Sequence, residues 1–232
     1  MKIKKHVYPK KTTRANEEEC SECGEMTEDQ AAELLNSIND LALDRRKIYI
    51  FAPIDPTVSG TVISAIHFME DVSDDDIEII INSPGGAVVD CWAICDAMDS
   101  SPCDFVTKTY GFAASAACLI ATNGTPGKRY SGKNSEFMFH EVYGPIEDMR
   151  ASTAREIVKD SIHYQKKFTK IFSRNTGMTP KEIDKEFYAV TKDKFISAKE
   201  AKKFGMIDHI LPVKRKTVKK DGKDEEDSLT EE

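Results

Sequence analysis

Apolar positions along this chain follow two alternating spacings. Residues 28–43 carry Ala31, Leu34, Leu35, Ile38 and Leu41 at helical spacing behind a capping Thr27. Residues 47–51 read as a strand ended by Pro53, and positions 58, 62, 65, 66 and 69 return to the helical period over 58–69. Residues 77–81 are the next strand, running into Asn82-Ser83-Pro84-Gly85-Gly86, and 88–98 are helical again. Residues 104–110 form a third strand, and after Gly111 an alanine-rich helical stretch reaches Thr122. Residues 137–139 are a further strand. Beyond Gly144 and Pro145 a long helix, about 151–174, gathers Ile157, Val158, Ile162, Gln165, Phe168, Ile171 and Phe172 on one side. An apolar face of that length needs a cover, which another subunit can supply. Strands alternating with helices in this way predict an α/β fold of βα units around a mainly parallel sheet.

Two short helices are well marked. Thr179-Pro180-Lys181-Glu182 and Ser197-Ala198-Lys199-Glu200 both fit the capping-box pattern, Gly205 ends the second, and Asp193 lies in the connection between them. Residues 1–26 are polar and charged and read as a mobile arm; residues 213–232 turn from basic to acidic and read as a disordered tail. One folded domain over 27–212 remains between them.

Charge and cysteine usage narrow the classes. A formal net charge of -7 and a pI near 5.4 argue against nucleic-acid binding, which needs a concentrated positive surface. The basic stretches 2–11 and 214–220 sit near the ends and read as solvated tails. No apolar run approaches the ~20 residues of a membrane helix, and Met1-Lys2-Ile3-Lys4-Lys5 is not followed by the apolar core of a secretory signal. A soluble, intracellular protein is expected. Six cysteines in 232 residues do not make a secreted disulfide scaffold, and Cys91, Cys95, Cys103 and Cys118 read as buried free thiols. Cys20 and Cys23 form a lone CxxC, with neither a second pair nor a nearby histidine to complete a zinc site.

Candidate chemistry gathers where strands give way to helices. Ser83-Pro84-Gly85-Gly86 enters one helix and Gly111-Phe112-Ala113-Ala114-Ser115 enters another, and in a parallel sheet such junctions meet at the carboxyl edge. Glycine lets adjacent amides converge, and a helix N-terminus adds partial positive charge, so the junctions can form an anion hole. An anion hole beside a serine hydroxyl suits acyl transfer, whose tetrahedral intermediate carries an oxyanion. Ser115, flanked by small alanines, is the candidate nucleophile. Its base is one of five histidines, His6, His67, His140, His163 and His209. His140 ends an apolar strand facing the same edge, but periodicity does not choose among them, and the carboxylates are too many to nominate one.

Four ordered blocks resemble the proteolytic subunit of the Clp protease: Ile81-Asn-Ser-Pro-Gly-Gly86; Gly111-Phe-Ala-Ala-Ser115 with Gly124-Thr-Pro-Gly-Lys-Arg129; Phe137-Met-Phe-His140; and Asp193-Lys-Phe-Ile-Ser-Ala-Lys-Glu-Ala201 with Phe204-Gly-Met-Ile-Asp208. The likeness runs from about Lys47 to Leu211. It implies a crotonase-like spiral of repeated β-β-α units with a protruding helical handle at about 141–175. It further implies Ser115 as nucleophile, His140 as base and Asp193 as the acid that orients the base. The oxyanion amides fall on Gly86 and Ala116, and the substrate-binding positions on Gly85, Val88, Tyr143 and Gly144. Peptides or unfolded proteins as substrates, two stacked heptameric rings, a Clp-type AAA+ unfoldase partner, a cytoplasmic location and no metal or organic cofactor belong to the same resemblance.

The chain departs from that pattern in three places. Glu141-Val142 replaces the usual Gln-Pro, placing a carboxylate beside the base. The segment from His140 to Asp193 is a few residues longer than usual, and residues 1–46 carry no recognisable axial gate. A phage-encoded head-maturation protease or a catalytically silent ring subunit would share these blocks. An acyl-CoA enzyme of the crotonase type would share the architecture, but the ordered serine, histidine and aspartate blocks speak against it.

Overall fold

The computed structural model describes residues 42–142, 150–188 and 193–213. The charged arm, the tail, the Cys20/Cys23 pair, most of the expected 28–43 helix, and Tyr143 and Gly144 lie outside the described residues.

Strand β1 (Lys47–Ile50) and strand β2 (Ile77–Ser83) pair in parallel, and β2 pairs in parallel with β3 (Phe105–Ala114). Ile77, Ile79, Ile80 and Ile81 are all buried, as expected of a central strand covered on both faces. The sheet continues through β4 (Arg129–Ser131) to β7 (His209–Ile210), while β5 (Glu136–Phe139) joins β3 and carries β6 (Lys194–Ser197) antiparallel on its other side. The expected mainly parallel α/β sheet is therefore present, with one antiparallel pair.

Strand β3 runs four residues past Tyr110, where the sequence pattern stops. Its first half pairs with β4 (Thr107 to Thr109 against Arg129 to Ser131) and its second half with β5 (Phe112 to Ala114 against Glu136 to Met138). Gly111 sits at the switch with φ 75°, and a β-carbon there would stand 2.9 Å from Asn82 Oδ1. The same stretch is where the β2–β3 register shifts. The glycine thus turns the strand rather than ending it, and that turn carries Ala114 and Ser115 to the sheet's carboxyl edge.

Helix α1 (Pro56–Glu70) starts at Asp55, whose carboxylate accepts from Val58 N at 2.8 Å, with Pro56 in the first turn. Helix α2 (Val88–Ser100) and the fully buried α3 (Ala116–Thr122) form the layer beneath the site. The long α4 (Ala151–Thr176) ends on Gly177 in the left-handed region. It is followed by α5 (Pro180–Ile183), a π-helical turn (Asp184–Tyr188) and α6 (Ala198–Lys203). Both capping boxes form as expected, Thr179 with Glu182 and Ser197 with Glu200. Phe139 contacts Phe172 and Phe187 at ring distances of 4.9 and 4.5 Å, which docks the C-terminal half of α4 against the end of β5. No helix among the described residues is long and apolar enough to cross a membrane.

Candidate active site

Three parallel strands deliver their C-terminal ends to one place: β2 leads into Pro84, Gly85 and Gly86, β3 into Ser115, and β5 into His140. A cavity of about 330 Å³ lies between them, lined by Gly85, Gly86, Val88, Ser115 and His140 and floored by apolar Met138, Phe139, Val142 and Phe168. Among the described histidines His140 alone lines it. His67 bonds Glu70 at 2.6 Å, His209 stacks on Tyr130, and His163 lies on α4 beside Tyr164.

The Ser115 turn is strained. Ser115 holds φ 51° and ψ -122°, a conformation that side-chain-bearing residues avoid at a cost of about 1–3 kcal/mol. Its N–H donates to Met138 O at 2.8 Å and its carbonyl accepts from Cys118 N at 3.0 Å. Its hydroxyl makes no helix-capping bond. Gly85 packs against this turn so closely that a β-carbon on it would meet Ala114 O at 2.4 Å, Ser115 Cβ at 2.9 Å and Ala116 N at 3.0 Å. Only glycine fits there, and its φ of 86° agrees.

Neither the Gly86 nor the Ala116 amide has an acceptor among the described residues. Gly86 forms a parallel bridge with Ile54 that uses its neighbours' groups, Ile54 N donating to Gly85 O and Ala87 N to Ile54 O, both at 2.8 Å. In that pattern Gly86's own N–H points away from Ile54. Ala116 is the first residue of α3, where an N–H has no partner within the helix. Ser83 fixes the turn leading into Gly86: its hydroxyl donates to Ala52 O at 2.7 Å and accepts from Gly85 N at 3.1 Å.

His140 Nδ1 lies 2.6 Å from the Glu141 carbonyl oxygen. A carbonyl only accepts, so this contact is a hydrogen bond when Nδ1 carries the proton. Glu141 therefore meets the His140 ring through its backbone oxygen. The next amide, Val142 N–H, donates to Gln165 Oε1 on α4 at 2.7 Å, fastening the segment after the histidine to the long helix. Asp193 is exposed and does not line the cavity, but it stands at the entry of β6 beside the end of β5. Phe168 and Gln165 were legible only as members of α4's apolar side; a helical period gives no sign that one floors a cavity and the other holds a loop.

A Clp protease family model matches residues 30–214. The chain is 31% identical over 186 residues to the ATP-dependent Clp protease proteolytic subunit 1 of Thermobifida fusca, covering 80% of this chain and 82% of that protein. It is 31% identical over 176 residues to proteolytic subunit 2 of Corynebacterium efficiens, covering 75% and 86%. It is 32% identical over 173 residues to the chloroplastic subunit 3 of Arabidopsis thaliana, covering 74% of this chain and 55% of that longer protein.

Proposed function

The chain belongs to the Clp protease family and is a serine endopeptidase of the Clp type; from that premise we propose that Ser115 is its nucleophile, His140 its general base and Asp193 the carboxylate that steadies the base. The observation that carries this reading is the shared cavity, in which a strained serine whose hydroxyl makes no capping bond, a histidine whose Nδ1 lies against the Glu141 carbonyl and the Gly86 backbone meet over an apolar floor.

In the proposed reaction Ser115 Oγ attacks the carbonyl carbon of a peptide bond as His140 Nε2 takes its proton. The oxyanion is held by the amides of Gly86 and Ala116. The imidazolium then protonates the departing amine, the C–N bond breaks, and water attacks the acyl-enzyme with His140 again as base. These steps need no metal or organic cofactor. Substrates on this reading are peptides or unfolded proteins, bound along Gly85 and Val88 and the segment holding Tyr143 and Gly144, with an apolar side chain over Met138, Val142 and Phe168.

The reading includes a single peptidase domain over about 27–212, assembled in the cytoplasm into two stacked heptameric rings and fed by a Clp-type unfoldase. Support for assembly comes from α4, where exposed Val158 and Ile162 line a groove of about 840 Å³ with no cover among the described residues.

Intact mass after treatment with a fluorophosphonate tests the site. One adduct on the native chain and none on Ser115→Ala is expected; an adduct that persists in Ser115→Ala would place the nucleophile elsewhere.

A further inference from the structure

Four backbone groups around Ser115 are held from within the protein, and two of the holders are cysteine thiols. Cys118 lies one turn into α3, is fully buried, and touches the turn twice: its N–H donates to Ser115 O at 3.0 Å and its thiol to Ala113 O at 2.9 Å. Cys91, on α2 and also fully buried, donates its thiol to Ala116 O at 3.1 Å. The peptide before Ala114 and the peptide after Ala116 are thus each tied down by sulfur. The two peptides of Ser115 itself, one bonded to Met138 and one carrying the Ala116 amide, lie between those ties. We propose that Cys91 and Cys118 are positioning residues for the nucleophile, their thiols bracketing the strained turn so that Ser115 Oγ and the Ala116 amide keep the geometry of attack. The inference rests on Ser115 being the nucleophile.

The physical case is one of strain and supply. A serine at φ 51° relaxes unless its surroundings over-determine it, and a displacement of about 1 Å at a reacting atom costs on the order of 100-fold in rate. The turn and α3 bury Ala113, Ala114, Ala116, Ala117 and Ala121, none of which has a polar side-chain atom. Cys91 and Cys118 bring the only side-chain donors to these two carbonyls among the described residues. Burial pushes the Cys118 thiol far above its ordinary range, so it remains an S–H donor at any working pH. Cys95, one helical turn after Cys91, is likewise held protonated, by its hydrogen bond to Cys91 and then by burial.

The test uses the full chain and reads the rate of fluorophosphonate acylation, kcat and KM on a short peptide, and the melting midpoint. The variants are Cys91→Ala, Cys118→Ala, Cys91→Ser and Cys118→Ser, with Ser115→Ala as control. Each alanine variant is expected to acylate about tenfold more slowly, with the loss in kcat and KM within about twofold, and each serine variant, which retains a donor, to recover most of the native rate. Should an alanine variant not fold, the valine variant at that position fills the volume without a donor and is expected to be as slow. Native rates in the alanine or valine variants, or serine variants as slow as alanine, would overturn the bracket. An adduct surviving in Ser115→Ala would instead overturn the assignment of the nucleophile, so the two failures are distinguishable.

Discussion

His140 directly follows Phe139 and Asp193 directly precedes Lys194, and Phe139 and Lys194 are the last pair of the antiparallel β5–β6 ladder. Strand pairing thereby brings the backbone entering β6, distant in sequence, beside the end of β5. A proton on His140 Nδ1 has an acceptor in the Glu141 carbonyl. On the proposed triad the backbone then helps to hold the tautomer, and the part assigned to the Asp193 carboxylate is to stabilise the imidazolium.

That division of labour predicts an unequal pair of losses. On the proposed triad, Asp193→Ala lowers kcat by about 10²-fold with KM nearly unchanged, short of the ~10⁴-fold loss that follows when a triad loses control of its tautomer. Ser115→Ala removes the nucleophile and falls to the residual rate. Steady-state hydrolysis of one peptide by both variants decides the matter: equal losses would mean that the Glu141 carbonyl does not hold the ring.

Gly85→Ala and Gly127→Ala separate strain from contact. Both glycines hold φ 86°, so each alanine carries the same left-handed penalty of about 1–2 kcal/mol. A β-carbon at Gly127 meets nothing within 4 Å, whereas one at Gly85 runs into Ala114 O, Ser115 and Ala116. Gly127→Ala is expected to melt a few degrees lower with native phosphonate labelling, and Gly85→Ala to lose labelling by at least ~100-fold because the Ser115 turn must shift. Labelling of Gly85→Ala at the native rate would show that the turn yields without consequence.

How far the sequence could be read follows from what each signal measures. Long periodic segments such as α1, α2 and α4 appeared within a few residues of their observed bounds, and so did the two capping boxes, because a cap is a local arrangement of four residues. Strands β4, β6 and β7 did not appear; unlike the equally short β1 and β5 they carry no three successive large apolar residues, and pairing with a neighbour is what marks them as strands. The end of β3 was misplaced because Gly111 looks like a stop, although its positive φ turns the strand into a second partner. Ser115 and His140 were visible as residues at strand ends. Asp193 was reachable only through the family resemblance, since the β6 pairing that carries it was hidden. Cys118 was correctly read as a buried thiol, but its two bonds to the Ser115 turn require knowing where the turn folds back.

Assembly on the proposed reading depends on α4. Val158 and Ile162 are about half exposed on a charged helix and line one groove with Lys166 and Lys181. Burying them against a second ring would remove that apolar surface from water, and placing a carboxylate there would oppose the contact through its desolvation. Ile162→Glu is expected to halve the sedimenting mass, leaving single rings, with an unchanged monomer fold by circular dichroism. An unaltered sedimentation coefficient would rule out this face as the joint between rings.

Arg129 and Asp208 govern stability at low pH. Arg129 is almost wholly buried, and its Nε and Nη2 donate to the two Asp208 oxygens at 2.9 and 2.7 Å, while Gly127 N and Arg129 N add bonds at 2.8 and 3.0 Å. Burial alone would raise the pKa of Asp208, but the bonds from Arg129 outweigh it, and the carboxyl is held below its ordinary value. A depressed folded pKa stabilises fully above the unfolded value of about 3.9 and loses that contribution as pH falls through the folded value. The native melting midpoint is therefore expected to hold from pH 7 to about 5 and to drop steeply below about 4, while Asp208→Asn gives a lower and flatter profile. Asp208→Ala leaves a buried guanidinium uncompensated and should lose about 3–5 kcal/mol, enough to separate β7 and the C-terminal end of α4, whose Asn175 carbonyl accepts from Arg129 Nη1 at 2.7 Å. Parallel melting curves for native chain and Asp208→Asn across that range would mean that the pair titrates with no linkage to folding.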